Sequence, residues 1–368
     1  MTVIDAAGSA EAVKTANVAG AANAAGAAGA AAPGVYDYMI EAKALTKRFD
    51  GFAALDGMDL HVPKGSVYGL VGPNGAGKTT LIRHLAGVYR PDMGEVRIDG
   101  GPVWENPHLK ERLIHIPDDL HYTPSASISS LVAYYKYIYP RFSIDRFERL
   151  KAAFPLDLKK RVGKFSKGMQ KQTALWFALC CMPDVMLLDE PVDGLDPVAR
   201  RIVWSLILKD VAERRTTVLI SSHNLRELDG ISDHIGIMRG GRLILERALA
   251  DLQGDVTKLQ IVFAKTEGAA GVAGAGGAGG VDGAGVATYE AAGTASGAGR
   301  PFRIPGFEIL HSSHNGRLAE YIVRGSVDSV LSAVNAMDPP PLLADAVPLT
   351  LEEIFIYELG GMDYAELI

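Results

Sequence analysis

The sequence predicts an α/β fold built around a nucleotide-binding core, on three observations. Gly72-Pro73-Asn74-Gly75-Ala76-Gly77-Lys78-Thr79 fits G-x-x-x-x-G-K-[ST] at every fixed position. It follows the apolar strand-type run Val67 to Val71 and precedes Thr79 to Tyr89, where Leu81, Ile82, Leu85 and Val88 fall on one helix face. Second, Val185-Met186-Leu187-Leu188 is all apolar and ends in Asp189-Glu190, the pattern of a strand buried on both faces of a parallel sheet. Third, strand-like alternation precedes the motif and helical spacing follows it. The expected architecture is a P-loop NTPase core with an antiparallel β subdomain and an inserted helical subdomain, plus a small C-terminal α/β accessory domain.

The glycines of the motif let the backbone fold around phosphates with its N–H groups inward, and the following helix turns its positive end to the same anion. Lys78 supplies a cation for the β- and γ-phosphates, and the Thr79 hydroxyl can ligate Mg²⁺. The motif by itself specifies only a nucleotide. Kinases, GTPases, motor ATPases and transporter ATPases share it.

A chain of 368 residues holds one large or two ordinary domains. Ala and Gly tracts inflate its 48% hydrophobic content. Lys plus Arg at 37 against Asp plus Glu at 43 gives a net charge of -6, and no long basic run occurs, so nucleic acid is not the expected partner. Cys180 and Cys181, the only cysteines, are neighbours in an apolar run, where a normal disulfide is geometrically awkward. The expectation is a reduced, cytosolic chain. No stretch reaches the roughly 18 uninterrupted apolar residues of a membrane span.

Residues 1–34 are Ala/Gly-rich and are expected to be a disordered tail without a secretory signal. Met39 to Leu45, Ala53 to Leu55 and Met58 to Val62 read as antiparallel strands, with Phe49 on a loop between them, where it stacks on a purine ring or packs under the sheet. Gly94 to Gly100 reads as a strand and turn. Leu113 to Ile116 reads as a strand ended by Pro117, with Asp118 and Asp119 at its carboxyl end, either as ligand groups or as a solvated loop. Ser129 to Tyr139 is a helix whose stripe of Leu131, Tyr134, Tyr135 and Ile138 is either core or a docking face for a partner helix. With the helices Asp145 to Phe154 and Ser166 to Met182 it makes a helical subdomain of about 120–182.

After the strand at Val185, Asp189 fits a Mg²⁺ role and Glu190 the activation of an attacking water. Asp196-Pro197 opens a helix, with Asp as N-cap. Val218 to Ile220 is another buried strand. It delivers His223 to the same sheet edge, where it faces a γ-phosphate or lies on the surface, and Asn224 with Glu227 reads as a capping box for the next helix. Ile231 to Leu245 has strand character about a Gly240-Gly241 turn. The accessory domain is expected at 255–368, interrupted by a flexible Gly/Ala-rich insertion at about 266–300. Its pieces are strands at Leu259, Phe307 and Tyr321, a helix from Asp328, and a last helix opened by a Thr350/Glu353 capping box.

The order of these motifs resembles the ATPase subunit of an ATP-binding cassette (ABC) transporter from about Ile40 to Leu249, within a nucleotide-binding domain of 35–254. Phe49 matches the aromatic loop, Gly72 to Thr80 the Walker A, Asp118 the Q-loop position, and Phe165-Ser166-Lys167-Gly168-Met169-Gln170 the signature. Val185 to Glu190 matches Walker B, Gly194-Leu195-Asp196 the D-loop, and His223 the switch histidine. The tail from Leu349 to Gly361 resembles the accessory domain of ABC-2 type exporters. Several positions depart from the common pattern: Asp118 stands for Gln, Lys167 for the first signature Gly, and Met169 for its Gln, and Val192-Asp193 after Pro191 is also unusual. Ser166 can cap the helix to Met182, which makes that helix end a second anion site.

The resemblance implies ATP and Mg²⁺ as cofactors, with Thr79, Asp118 and Asp189 at the metal. It also implies a homodimer, or a heterodimer with a second ABC subunit, in which each ATP lies between one P-loop and the opposite signature. The expected function is ATP hydrolysis that powers export through a separate integral membrane permease, with the subunit cytoplasmic and peripheral on the inner face of the membrane. The alternative is a soluble ATP-switched ABC-family factor that couples to no permease. A small-molecule kinase leaves the signature and His223 unexplained.

Overall fold

Parallel strands buried on both faces need apolar residues at successive positions, and the central sheet is built from such runs. The computed structural model describes residues 37–254, 256–262, 303–315, 318–337 and 340–358. The Ala/Gly-rich segments expected at 1–34 and about 266–300 lie outside the described residues. The first sheet comes from β1 (Tyr38–Phe49), β2 (Phe52–Pro63), β4 (Met93–Ile98) and the short β5 (Gly101–Pro102), in the order β2-β1-β4-β5 and antiparallel throughout. The three expected segments between Met39 and Val62 are thus two long strands joined by a tight turn, and register shifts within β1 and β2 bend the pair.

The second sheet has the order β10-β9-β3-β8-β7-β6, from β3 (Val67–Val71), β6 (Leu113–Ile116), β7 (Val185–Asp189), β8 (Thr217–Ser222), β9 (His234–Arg239) and β10 (Arg242–Ala248). All neighbours are parallel except β10, which returns antiparallel along β9. Because side chains alternate along a strand, β7 sends Met186 and Leu188 to one face and Val185 and Leu187 to the other, and all four are buried. One face packs on α1 (Lys78–Leu85) and the antiparallel sheet through Leu81, Ile82, Leu85, Leu55 and Leu60.

The opposite face packs on α5 (Lys167–Cys180) and α6 (Pro197–Arg214), joined by α3 (Ile128–Ile138) and α4 (Ile144–Leu150), whereas the short α2 (Pro107–Lys110) buries Leu109 on the side of α1 and the antiparallel sheet. Trp176 of α5 is the centre of that layer, stacked on Phe147 with ring centroids 4.3 Å apart and on Phe154 at 5.7 Å. Cys180 and Cys181 are free thiols buried there. The stripe on α3 is split: Leu131 and Tyr135 pack on the core, Tyr134 and Ile138 are exposed, and only Ile128 of the helix is fully buried. The stripe is therefore not core along its whole length. This helix edges the layer and is not sandwiched in it.

A third sheet, order β12-β13-β11-β14, follows the linking α7 (Leu249–Gly254) and is formed by β11 (Val256–Val262), β12 (Glu308–Asn315), β13 (Leu318–Arg324) and β14 (Leu343–Val347). It has its own core with Leu259, Ile261, Tyr321 and Val323 against Val330 and Val334 of α8 (Val327–Asn335). The final α9 (Leu351–Glu358) starts with the expected capping box: Glu353 N–H donates to Thr350 Oγ1, and Thr350 N–H to Glu353 Oε2 at 2.9 Å. No helix among the described residues is long and apolar enough to cross a membrane.

Candidate functional site

The phosphate loop joins the carboxyl end of β3 to α1, where the backbone turns too sharply for most side chains. Gly77 is the N-cap of α1 at φ 106°, and a Cβ there would lie 2.6 Å from the Ala54 carbonyl oxygen. At Gly72 a Cβ would come within 2.3 Å of the Met238 carbonyl oxygen. Lys78 Nζ folds back across the loop and donates to the carbonyls of Gly72 at 2.6 Å and Pro73 at 3.2 Å. Burial lowers its pKa from the ordinary value, while Glu190 and Asp189 pull it up.

A cleft of about 400 Å³ opens over this loop, lined by Pro73 through Thr80, with Phe49 and Phe52 at one end and Asp118, Asp189 and Glu190 at the other. Phe49 is not on a loop. It is the last residue of β1, paired with Phe52, and its ring meets Tyr89 edge-on at 5.7 Å. Phe52 is 67% exposed at the same mouth. The sequence motifs do not single it out, although its place directly after Asp50-Gly51 at the hairpin turn is a usable signal.

Parallel pairing of β7 with β8 sets Asp189 opposite Ser221, whose hydroxyl donates to Asp189 Oδ1. The other oxygen, Oδ2, is buried and has no hydrogen-bond partner. An orphaned carboxylate oxygen at a phosphate site, with the Thr79 hydroxyl on the same cleft, fits a hard cation such as Mg²⁺. Among the described residues no group of three or more His, Cys, Asp or Glu could hold a metal ion. A cation here would take its remaining ligands from nucleotide phosphates and water.

Glu190 follows at φ 48°, a left-handed conformation that non-glycine residues seldom adopt. Its N–H donates to Ser221 Oγ at 3.2 Å, and its Oε2 lies 3.0 Å from His223 Nδ1. Burial raises the Glu190 carboxyl above its ordinary pKa, against the opposing pull of His223 and Lys78. His223, just after β8, is therefore not an isolated surface residue. The next turn departs from expectation, because Leu225–Glu227 is a short 3-10 turn and not a capping-boxed α-helix. Asn224 accepts from Arg226 N–H, but the Glu227 carboxylate goes to Ser222 Oγ at 2.9 Å and Arg200 at 3.3 Å. Arg226 Nε then reaches both carboxylate oxygens of Glu352 on α9, at 3.0 and 3.1 Å.

The signature segment stands outside the cleft. Ser166 caps α5 by accepting from Met169 N–H at 3.2 Å, and both Ser166 and Lys167 are exposed. Gly168 lies against the D-loop: a Cβ on it would sit 2.6 Å from the Gly194 carbonyl oxygen. Gln170 is partly buried and donates its side chain to the Phe165 carbonyl. Asp196 spends its carboxylate on the N–H groups of Val198 and Ala199, as the cap of α6. Asp118 is half exposed and pairs with Lys171 Nζ at 2.9 Å, a contact no sequence motif indicated.

A family model described as ABC transporter matches residues 55–193. The chain is similar to the ABC transporter ATP-binding protein YtrB of Bacillus subtilis (strain 168), 32% identical over 225 residues, which are 61% of this chain and 77% of that protein. It is also similar to the daunorubicin/doxorubicin resistance ATP-binding protein DrrA of Streptomyces peucetius, 35% identical over 224 residues, 59% of this chain and 67% of that one. A solved structure of an ATP binding subunit of an ABC transporter matches with TM-score 0.55 and 26% identity, over 58% of this chain and 92% of that chain.

Proposed function

The chain belongs to the family of ABC transporter ATP-binding proteins and is an ATPase, and from that premise we propose that it drives export through a separate membrane permease by closing on ATP as a dimer. The observation that carries this reading is the division of the site. The cleft of one subunit holds the P-loop, Asp189 and Glu190, with His223 on Glu190, while Ser166 and Lys167 at the start of α5 are exposed and do not line that cleft. A helix N-terminus exposed in this way suits a neighbour's γ-phosphate.

In this reading Phe49 stacks on the adenine, and the loop from Gly72 to Thr80 with Lys78 holds the phosphates. Thr79, Asp189 and Asp118 are the residues that would hold Mg²⁺, which neutralises charge on the phosphate oxygens. Glu190 accepts a proton from the attacking water, aided by a raised affinity for that proton. His223 orients the Glu190 carboxylate and reaches the γ-phosphate. Ser166, Lys167, Gly168, Met169 and Gln170 receive the partner's triphosphate, and Asp196 and its loop lie at the seam. The partner is a second copy or a related ABC subunit. The dimer works from the inner face of the membrane.

Removing a general base costs typically 10²- to 10⁴-fold in rate. Glu190→Gln should therefore bind ATP, hydrolyse it slowly and accumulate as a dimer in gel filtration. Only monomer in the presence of ATP would sink the composite site. Co-purification in detergent with a hydrophobic membrane protein encoded beside it is the test of the permease.

A further inference from the structure

Lys171 is a buried cation that the machinery above does not use. It lies on α5, five residues after the Ser166 cap, and its side chain is 6% exposed. Its ammonium donates to Asp118 Oδ1 at 2.9 Å and to the main-chain carbonyl of Glu190 at 2.7 Å. A buried ammonium persists only when paired and hydrogen-bonded, and here both partners belong to the hydrolytic end of the cleft.

The contact falls on a backbone unit that needs support. Glu190 sits at φ 48°, which a side chain with a Cβ leaves unless the surroundings hold it. Ser221 holds the N–H side from β8, and on the C=O side Lys171 donates from α5 at 2.7 Å, beside the Asp193 N–H at 3.3 Å from the following turn. His223 takes the carboxylate. With both flanking peptides fixed, the direction of the Glu190 side chain is fixed as well. Asp118, at the end of β6, supplies the counter-charge that keeps the ammonium in place.

We propose that Lys171, neutralised by Asp118, is a positioning residue for ATP hydrolysis: it grips the Glu190 carbonyl, keeps that residue left-handed and so aims its carboxylate at the attacking water. The proposal rests on the reading of Glu190 as the group that takes the water's proton. It adds a consequence for the helix, because Lys171 rides on the same α5 whose first turn begins at Ser166. A shift of that helix on meeting a neighbouring triphosphate reaches Glu190 directly through this side chain.

The test uses the full chain, with Lys171→Met, Lys171→Gln and Lys171→Arg each made in wild-type and Glu190→Gln backgrounds, read by steady-state and single-turnover ATP hydrolysis, melting temperature and ATP-dependent dimerisation. Lys171→Met is expected to lower kcat about tenfold or more with KM within about threefold, and Lys171→Arg to recover part of the loss. In the Glu190→Gln background the same change should cost nothing further, because the carboxylate it aims is gone. Should the methionine variant melt, Lys171→Gln keeps a donor in the pocket, and a smaller loss with the same dependence on background is expected. An unchanged kcat, or an equal loss in both backgrounds, overturns the proposal. Glu190→Gln hydrolysing at the wild-type rate would instead remove the premise and the proposal with it.

Discussion

At the scale of single residues, the phosphate loop is made of positions where one methyl group is too many. Gly77 combines φ 106° with a carbonyl oxygen 2.6 Å from where its Cβ would be. Gly77→Ala is expected to lose about 1–3 kcal/mol of stability and most ATP affinity, read by melting and by titration of a fluorescent ATP analogue. An alanine variant that binds normally would show that the loop does not close as described. At the mouth, Phe49 and Phe52 both line the cleft. If Phe49 stacks on the base, Phe49→Ala should weaken ATP by about 0.5–1.5 kcal/mol and leave an inorganic triphosphate unaffected. These residue types and their order were legible in the sequence, because a loop that wraps phosphate tolerates so few alternatives. Lys171 was not. Lys171 sits among ordinary polar residues of a helix, and only the packing of α5 against β6 and β7 brings it to Asp118 and Glu190.

At the scale of elements, helix ends serve two purposes that can be separated. Ser166 caps α5 and Ser143 caps α4 by the same device, a side-chain oxygen that accepts an N–H three residues on. Either serine changed to alanine should cost about 1 kcal/mol of stability. Only Ser166→Ala should also weaken the ATP-dependent dimer, because only that end is proposed to meet a partner's phosphate. Equal dimerisation in both variants would reduce Ser166 to a cap. The element after His223 shows where pattern reading fails: Asn-x-x-Glu is a capping signature, yet Glu227 is drawn off by Ser222 and Arg200 and the segment closes as a 3-10 turn. Ser222 Oγ accepts the Asn224 N–H that the box would give to Glu227, and Arg200 of α6 pairs with the Glu227 carboxylate from outside the segment.

At the scale of the whole molecule, the parallel core was readable because its strands are apolar at every position, whereas β14 was not, since Leu343 to Val347 carries Asp345 and is recognisable only by its pairing with β11. Long-range charge was equally hidden. A chain of ion pairs crosses the layers at the strand ends remote from the nucleotide: Lys64 to Asp99 at 3.0 Å, Asp99 to Arg112 at 3.0 Å, and Asp184 to both Arg112 and Arg141. It ties the antiparallel sheet to β6, β7 and the segment between α3 and α4. Burial pushes the Asp184 carboxyl up, but the hydrogen bonds from Arg141 and Arg112 together outweigh it and hold its pKa below the ordinary 3.8. Lys64 and then Arg112 do the same for Asp99. A carboxyl with a depressed folded pKa stabilises the native state at pH values above its unfolded value and loses that contribution as pH falls through the folded one. Asp184→Asn should therefore cost about 1 kcal/mol at pH 7, a melting shift of about 2–4 °C in a chain of this size. The gap should stay constant down to about pH 4 and close below it, as the wild-type carboxyl takes up its proton. Urea titrations of both proteins across that range check the sign, and a gap that widened toward acid would mean that Asp184 is held by burial more than by its arginines.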